Sequence, residues 1–322
     1  MKIQHAALLG LIVLGPIAQA QPAIVYDMGG KFDKSFNEAA YQGAERWKKE
    51  TGRAYLEFEI ANEAQREQAM RRMAERGANP VIGVGFSQAS SIEKISKEFP
   101  NLQFVVIDSV VKQPNVESIV FKEQEGSFLV GMMAALASKS GKVGFVGGMD
   151  IPLIRRFQCG YEQGVKYANP MAEVSAAMTG TTPSAWSDPT RGAELAKAQF
   201  ARGVDVVFAA AGGTGVGVYQ AARDAGALAI GVDSNQNHLQ PGTMLTSMVK
   251  RVDNAVYNSA RKSVPGVTSL GLKEGGVDYA MDQHNAKLVT PEMKAKVDAA
   301  KAGIIAGKIK VADYMADNAC KF

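Results

Sequence analysis

Asp108 and Asp233 each come directly after a short β-branched run, over 104–107 in the first half of the chain and 229–232 in the second. In open α/β sheets, small ligands collect outside the carboxyl ends of the strands, so acids in that position are the first to inspect. An ionised carboxylate accepts two hydroxyl hydrogen bonds at once, and charge-assisted bonds are roughly twice as strong as neutral ones, which suits a vicinal diol such as that of a ribose. Lys250, just past another such run over 243–248, is placed to balance the two charges. Each alone is equally well a solvated loop charge or a surface ion pair worth about 0–1 kcal/mol. Repetition of the position in both halves favours a site.

After the first run, over 23–26, the loop carries Asp27, Gly29-Gly30, Asp33, Ser35, Phe36 and Asn37 and leads into a helix. A helix cap, about 1 kcal/mol, accounts for one Asp or Ser. Several polar side chains and an aromatic at the helix start exceed what a cap needs and point to binding. Phe157, following Pro152 and Arg155-Arg156, holds in the second half the place of Phe36 in the first. The usual fate of a Phe is the core. Two rings facing each other across a cleft would instead sandwich a planar base, at about 1–3 kcal/mol per ring.

For catalysis and cofactors the chain is poor. Gly212-Gly213-Thr214-Gly215-Val216-Gly217 follows a strand-like run and opens a helix, but it is not G-x-G-x-x-G, and no G-x-x-x-x-G-K-[ST] occurs. These glycines let a backbone approach a ligand closely or simply make a turn. There is no G-x-S-x-G elbow, and His238 and His284 follow no nucleophile or metal spacing. No cofactor, no metal and no enzyme are expected; an acid/base site built from Asp27, Asp33 and Asp233 is the enzymatic alternative.

The elements that must position these residues alternate as βαβ units. Strands are expected over 23–26, 54–60, 80–84, 104–107 and 118–121, with helices over 36–51, 62–76 and 90–99 between them. A long helical pattern over 124–138 leads to a second series of strands over 142–146, 172–178, 204–209 and 227–232, with helices over 157–168, 190–202 and 217–225. A strand over 243–248, a helix over 253–263, a segment over 275–281 and a helical tail over 291–307 follow. The fold class is α/β, with two lobes, each a mainly parallel sheet flanked by helices, and the ligand between them. The N-terminal lobe is expected over 21–122 plus about 245–285, and the C-terminal lobe over 123–244 plus about 286–322.

Residues 6–17 form an apolar run after Lys2 and end in Ala18-Gln19-Ala20, the small-x-small pattern of a cleavable signal peptide over 1–20. The run is shorter than the ~20 apolar residues that span a bilayer. Gln21 and Pro22 follow where a lipid anchor would need Cys, so free solution in a periplasm is expected. About 300 remaining residues is near the size at which one core divides into two domains. A net charge of +4, with no Lys/Arg run longer than a pair, gives no reason to expect nucleic acid. Cys159 and Cys320 are an even count in an oxidising compartment and favour a disulfide, with two buried thiols as the alternative.

Five motifs stand in order: Tyr26-Asp27-Met28-Gly29-Gly30 with Asp33-Lys34-Ser35-Phe36-Asn37, Ala211-Gly212-Gly213-Thr214-Gly215, Gly231-Val232-Asp233-Ser234 and Ser247-Met248-Val249-Lys250-Arg251, and the likeness they anchor covers essentially all of the sequence after residue 20. In them the chain resembles the basic membrane protein family of purine nucleoside receptors, substrate-binding proteins of ABC importers with the type I periplasmic binding protein fold. The resemblance implies that Asp27 and Asn37 read the purine edge, that Phe36 and Phe157 stack on its faces, and that Asp108, Asp233 and Lys250 hold the ribose, helped by backbone at Gly213. It implies adenosine, guanosine or inosine as ligand and an inner-membrane permease as partner, with a monomer expected. Another small polar solute such as a sugar is the alternative ligand, and a nucleoside hydrolase the alternative activity. The chain departs from the family in two places: Asn235 stands where many members carry an acid after Asp233-Ser234, and the lipoprotein Cys of many members is missing.

Overall fold

A computed structural model describes residues 20–320. The expected signal peptide therefore lies outside the described residues, except for Ala20. Two six-stranded sheets organise the chain. The first holds β1 (Ala23–Tyr26), β2 (Leu56–Glu59), β3 (Val81–Gly83), β4 (Phe104–Ile107) and β5 (Val116–Phe121) in the order 2-1-3-4-5. The second holds β6 (Lys142–Met149), β7 (Glu173–Gly180), β8 (Val206–Ala210), β9 (Leu228–Asp233) and β10 (Met244–Lys250) in the same relative order. Within each set of five every pairing is parallel. Helices cover both faces, which is why β1 and β4 can be apolar and buried along their whole length instead of alternating.

In the first lobe α1 (Phe36–Thr51) lies on one face, while α2 (Gln65–Glu75) and α3 (Ala89–Glu98) pack together over the core cluster of the other. In the second, α4 (Glu123–Ala137) and α5 (Pro152–Ala168) form the most extensive helix pair of the molecule, and α6 (Pro189–Phe200) and α7 (Gly215–Asp224) cover the opposite face. The α4–α5 approach demands glycine: a Cβ on Gly164 would stand 1.9 Å from the Phe128 carbonyl oxygen. That close seat fixes α5, and with it Arg156 and Phe157.

The expected return to the first lobe over about 245–285 needs correction. Strand β10 pairs with β9, and β12 (Val277–Tyr279) adds antiparallel to β10, so both belong to the second sheet. Only α8 (Val252–Arg261), packed on α1, and β11 (Gly266–Leu270), parallel to β5, return to the first. A buried apolar run shows a strand but not the sheet it joins; here the fifth place beside β9 takes it. Strand β11 is almost wholly exposed, so it offered no hydrophobic signal to read. The tail helix α9 (Pro291–Ile305) packs on α4. A short α10 (Tyr314–Asp317) follows, and Cys320 is disulfide-bonded to Cys159 of α5, with the Cα atoms 5.3 Å apart. Among the described residues no helix is long and apolar enough to cross a membrane.

Candidate functional site

The carboxyl ends of both sheets face one pocket. Asp27, Phe36, Asn37, Asp108, Phe157, Asp233 and Lys250 all line it. Gly213 does not; its neighbour Gly212 does. A Cβ at Gly213 would instead sit 3.3 Å from the Trp186 carbonyl oxygen and 3.5 Å from that of Asp33, so Gly213 belongs to the contact between the lobes.

The loop after β1 divides its labour. Asp33 accepts the backbone N–H groups of Ser35 at 2.8 Å, Asn37 at 3.0 Å and Glu38 at 3.1 Å, and so caps α1. With the helix start satisfied, the Ser35 hydroxyl is free to donate to Asp233 Oδ2 at 2.6 Å across the cleft. Ser234 donates back to the Ser35 carbonyl at 2.8 Å, and Gln236 to that of Lys34 at 2.8 Å, which holds the lobes together in a closed form. Asn37 is locked by a two-way bond to the backbone of Asp27. The Asp27 carboxylate accepts Arg66 Nη2 at 2.8 Å, its neighbour's N–H at 2.8 Å, and the Ser87 hydroxyl. One N–H of the Asn37 amide and a lone pair on Asp27 remain, a donor beside an acceptor on rigid supports.

A second polar group centres on Lys250, the last residue of β10, which is 2 % exposed. Its ammonium donates to Asp108 Oδ2 at 2.6 Å and lies 2.9 Å from Glu123 Oε1, an ionic contact off the hydrogen-bond direction. The rings of Phe36, Phe121 and Phe157 stand 5.2, 5.0 and 5.6 Å from it, within cation–π reach. Asp108 Oδ1 is buried without a hydrogen-bond partner. Asp108 and Asp233 both adopt the left-handed backbone, at φ 69° and 63°, a strained conformation that Asp tolerates better than most and that recurs at functional sites.

Burial pushes the Asp233 carboxyl up to about 6, against the pull of Lys250 and the Ser35 hydrogen bond. Burial likewise raises Asp108, opposed by Lys250 and reinforced by Glu123. Lys250 is raised despite its burial because Asp108, Glu123 and Asp233 all face it. One ammonium against Asp108 and Asp233 in the lining leaves this part of the pocket anionic and hungry for hydrogen-bond donors.

A family described as ABC transporter substrate-binding protein, PnrA-like, matches residues 20–314. The chain belongs to the Bmp family. It is 33% identical to the ABC transporter nucleoside-binding protein BmpA of Lactococcus lactis over 90% of this chain and 88% of that one. It is 34% identical to the CD4+ T-cell-stimulating antigen of Listeria monocytogenes over 90% of this chain and 87% of that one. Among solved structures, a solute-binding protein of an ABC transporter system from Aeropyrum pernix superposes with a TM-score of 0.83 at 30% identity, covering 91% of this chain and 93% of that one. This Bmp-family protein is thus a substrate-binding protein with the type I periplasmic binding protein fold.

Several pocket residues of this Bmp protein escaped the sequence reading. Trp186 lines the pocket with its ring against Gly148, where any Cβ would lie 2.0 Å from it, and Phe86 joins from the first lobe. Glu123, which stands behind the pocket rather than in its lining, follows β5 by two residues; it fell between the strand expected over 118–121 and the helix expected over 124–138 and was passed over. Asn235 turns away to Asp282, with a 2.7 Å bond, and adds nothing to the pocket. Phe157 lies in the second turn of α5, whereas Phe36 is the first residue of α1, so the likeness between the two positions is looser than their order suggests.

Proposed function

We propose that this Bmp-family protein captures a purine nucleoside between its lobes and delivers it to the permease of an ABC importer. The observation that carries the reading is the pairing of two unlike polar groups in one aromatic pocket. Asp27 and Asn37 offer an acceptor beside a donor, which complements N6–H and N1 of adenine as well as N1–H and O6 of guanine or hypoxanthine. Asp108, with one oxygen open, and Asp233, which Ser35 shares, are acceptors for ribose hydroxyls. Phe36 and Phe157 supply stacking faces. The printed name of the Lactococcus relative, a nucleoside-binding protein, supports the same ligand class.

Binding rather than chemistry is the action on this reading. Ligand contacts to both lobes supply the differential affinity that favours closure. The signal-peptide pattern over 1–20 and the Cys159–Cys320 bridge support a periplasmic location, since disulfides persist in oxidising compartments. Calorimetric titration of refolded mature protein with adenosine, guanosine, inosine, uridine and ribose tests the assignment. One-to-one binding of a purine nucleoside with ribose silent is expected, at micromolar affinity or tighter, on the order of −8 kcal/mol. Silence of all five with folded protein rejects the nucleoside, binding of ribose alone favours a sugar receptor, and release of free base would reveal a hydrolase.

A further inference from the structure

Glu123 is fully buried and does not line the pocket, yet its carboxyl group lies between two cations. Its Oε2 accepts Arg156 Nη1 at 2.9 Å, while Oε1 faces Lys250. Arg156 is itself clamped. It donates to the Phe121 carbonyl at 2.8 Å and, through Nε and Nη2, to both oxygens of Asp313 at 2.8 and 2.9 Å. Asp313 lies in the C-terminal segment, which the Cys159–Cys320 disulfide and a two-way bond between Gln163 and Ala312 tie to α5. Glu123 and Lys250 also stand where the chain passes between lobes, Glu123 opening α4 just after β5 and Lys250 ending β10 just before α8. At the first position of a helix a carboxylate is further favoured by the helix dipole.

We infer that Glu123 is a positioning residue for the pocket: held by Arg156 on one oxygen, it draws Lys250 with the other, and so leaves Asp108 Oδ1 open for a ligand hydroxyl. An ammonium has three donors and no fixed plane. Without Glu123, nothing on that side opposes the attraction of Asp108 and Asp233, and the ammonium shifts onto the oxygens that the ligand needs. Glu123 thus affects the hydroxyl end of the ligand without touching it. The inference rests on the nucleoside reading only for the choice of ligand.

The test is Glu123→Gln in the full mature chain, with calorimetric affinities for adenosine and for 2′,3′-dideoxyadenosine, and a ¹³C NMR titration of the Asp108 carboxyl in ligand-free protein. Adenosine is expected to weaken at least tenfold and the dideoxy analogue less than twofold, and the Asp108 midpoint to fall, both through loss of the Glu123 charge and as Lys250 closes on it. Equal weakening of both ligands, no weakening of either, or an unmoved Asp108 midpoint would overturn the inference, because a purely structural role has no preference for the hydroxyls. If the native protein binds neither ligand, the nucleoside reading fails on its own, and a crystal structure of ligand-free Glu123→Gln decides this one: Lys250 Nζ is expected to move onto Asp108 Oδ1, and an unmoved ammonium overturns the inference. Should Glu123→Gln not fold, Arg156→Lys keeps the charge but loses the fork that spans Asp313 and Glu123. A several-fold loss confined to adenosine is then expected, and equal loss for both ligands refutes the role.

Discussion

Replacing Asp233 with Asn separates the two demands placed on a buried binding acid. The carboxyl is 7 % exposed and is raised from 3.8 to about 6, chiefly by burial. Two units at 1.36 kcal/mol each amount to about 3 kcal/mol by which folding disfavours the charged form. A folded pKa above the unfolded one means that the native state binds more protons between pH 3.8 and about 6, so stability falls as pH rises through that window. Above it the whole cost is present. Asn keeps an oxygen to accept the Ser35 hydroxyl and removes the charge. Ligand-free Asp233→Asn is therefore expected to be more stable than the native chain at pH 7.5, by up to about 3 kcal/mol or several degrees in Tm, and indistinguishable from it near pH 4. Nucleoside affinity should move the opposite way, falling roughly ten- to hundredfold for a lost charge-assisted bond of about 1.5–3 kcal/mol. Denaturant unfolding and calorimetry at both pH values measure the two effects. A variant less stable than native at pH 7.5, or a difference that does not change with pH, would refute the reasoning about burial.

In the native protein, nucleoside affinity is expected to be constant above about pH 6.5 and to fall by up to tenfold per pH unit below about 6, because the hydroxyls bond the ionised Asp233; a flat profile from pH 8 to 5 counts against that acid. Phe36→Ala should weaken nucleosides by about 1–3 kcal/mol per stacked ring while leaving any ribose affinity unchanged, as read by calorimetry. Phe157 is 3 % exposed, so Phe157→Ala adds a core cavity; Phe157→Leu is the cleaner probe and should show the same selective loss of nucleoside binding with a smaller drop in Tm. Converting both cysteines to Ser opens a loop of 161 residues, for which chain entropy allows at most about 5 kcal/mol; a lower Tm is expected, and two free thiols in unreduced, unfolded native protein would show that the bridge does not form.

Much of the fold was legible in the sequence because parallel strands buried on both faces read as short apolar runs, and amphipathic helices stand between them. Strands β1 and β4 are plain in that way, and the strand-end rule led directly to Asp27, Asp108 and Asp233. Position in the chain also picked out Lys250, Phe36 and Phe157, and the resemblance to a known family added the purine-edge role of Asp27 and Asn37 and the place of Gly213. Sheet membership was not legible: β10 is apolar enough for either sheet, and only backbone pairing with β9 assigns it. Strand β11 had no apolar pattern at all.

For the site, local order along the chain determined which residues stand at strand ends, and that is a property of sequence. What each does there depends on partners far away in the chain. Asp33 turned from candidate to helix cap because three N–H groups converge on it, and Ser35 from cap to latch because Asp233 lies across the cleft. Lys250 meets Asp108 from 142 residues away and Glu123 through the crossing segments. A hydrogen bond is short-ranged and directional, so which acid a buried cation chooses is settled by packing in three dimensions, after the elements have formed and the lobes have met.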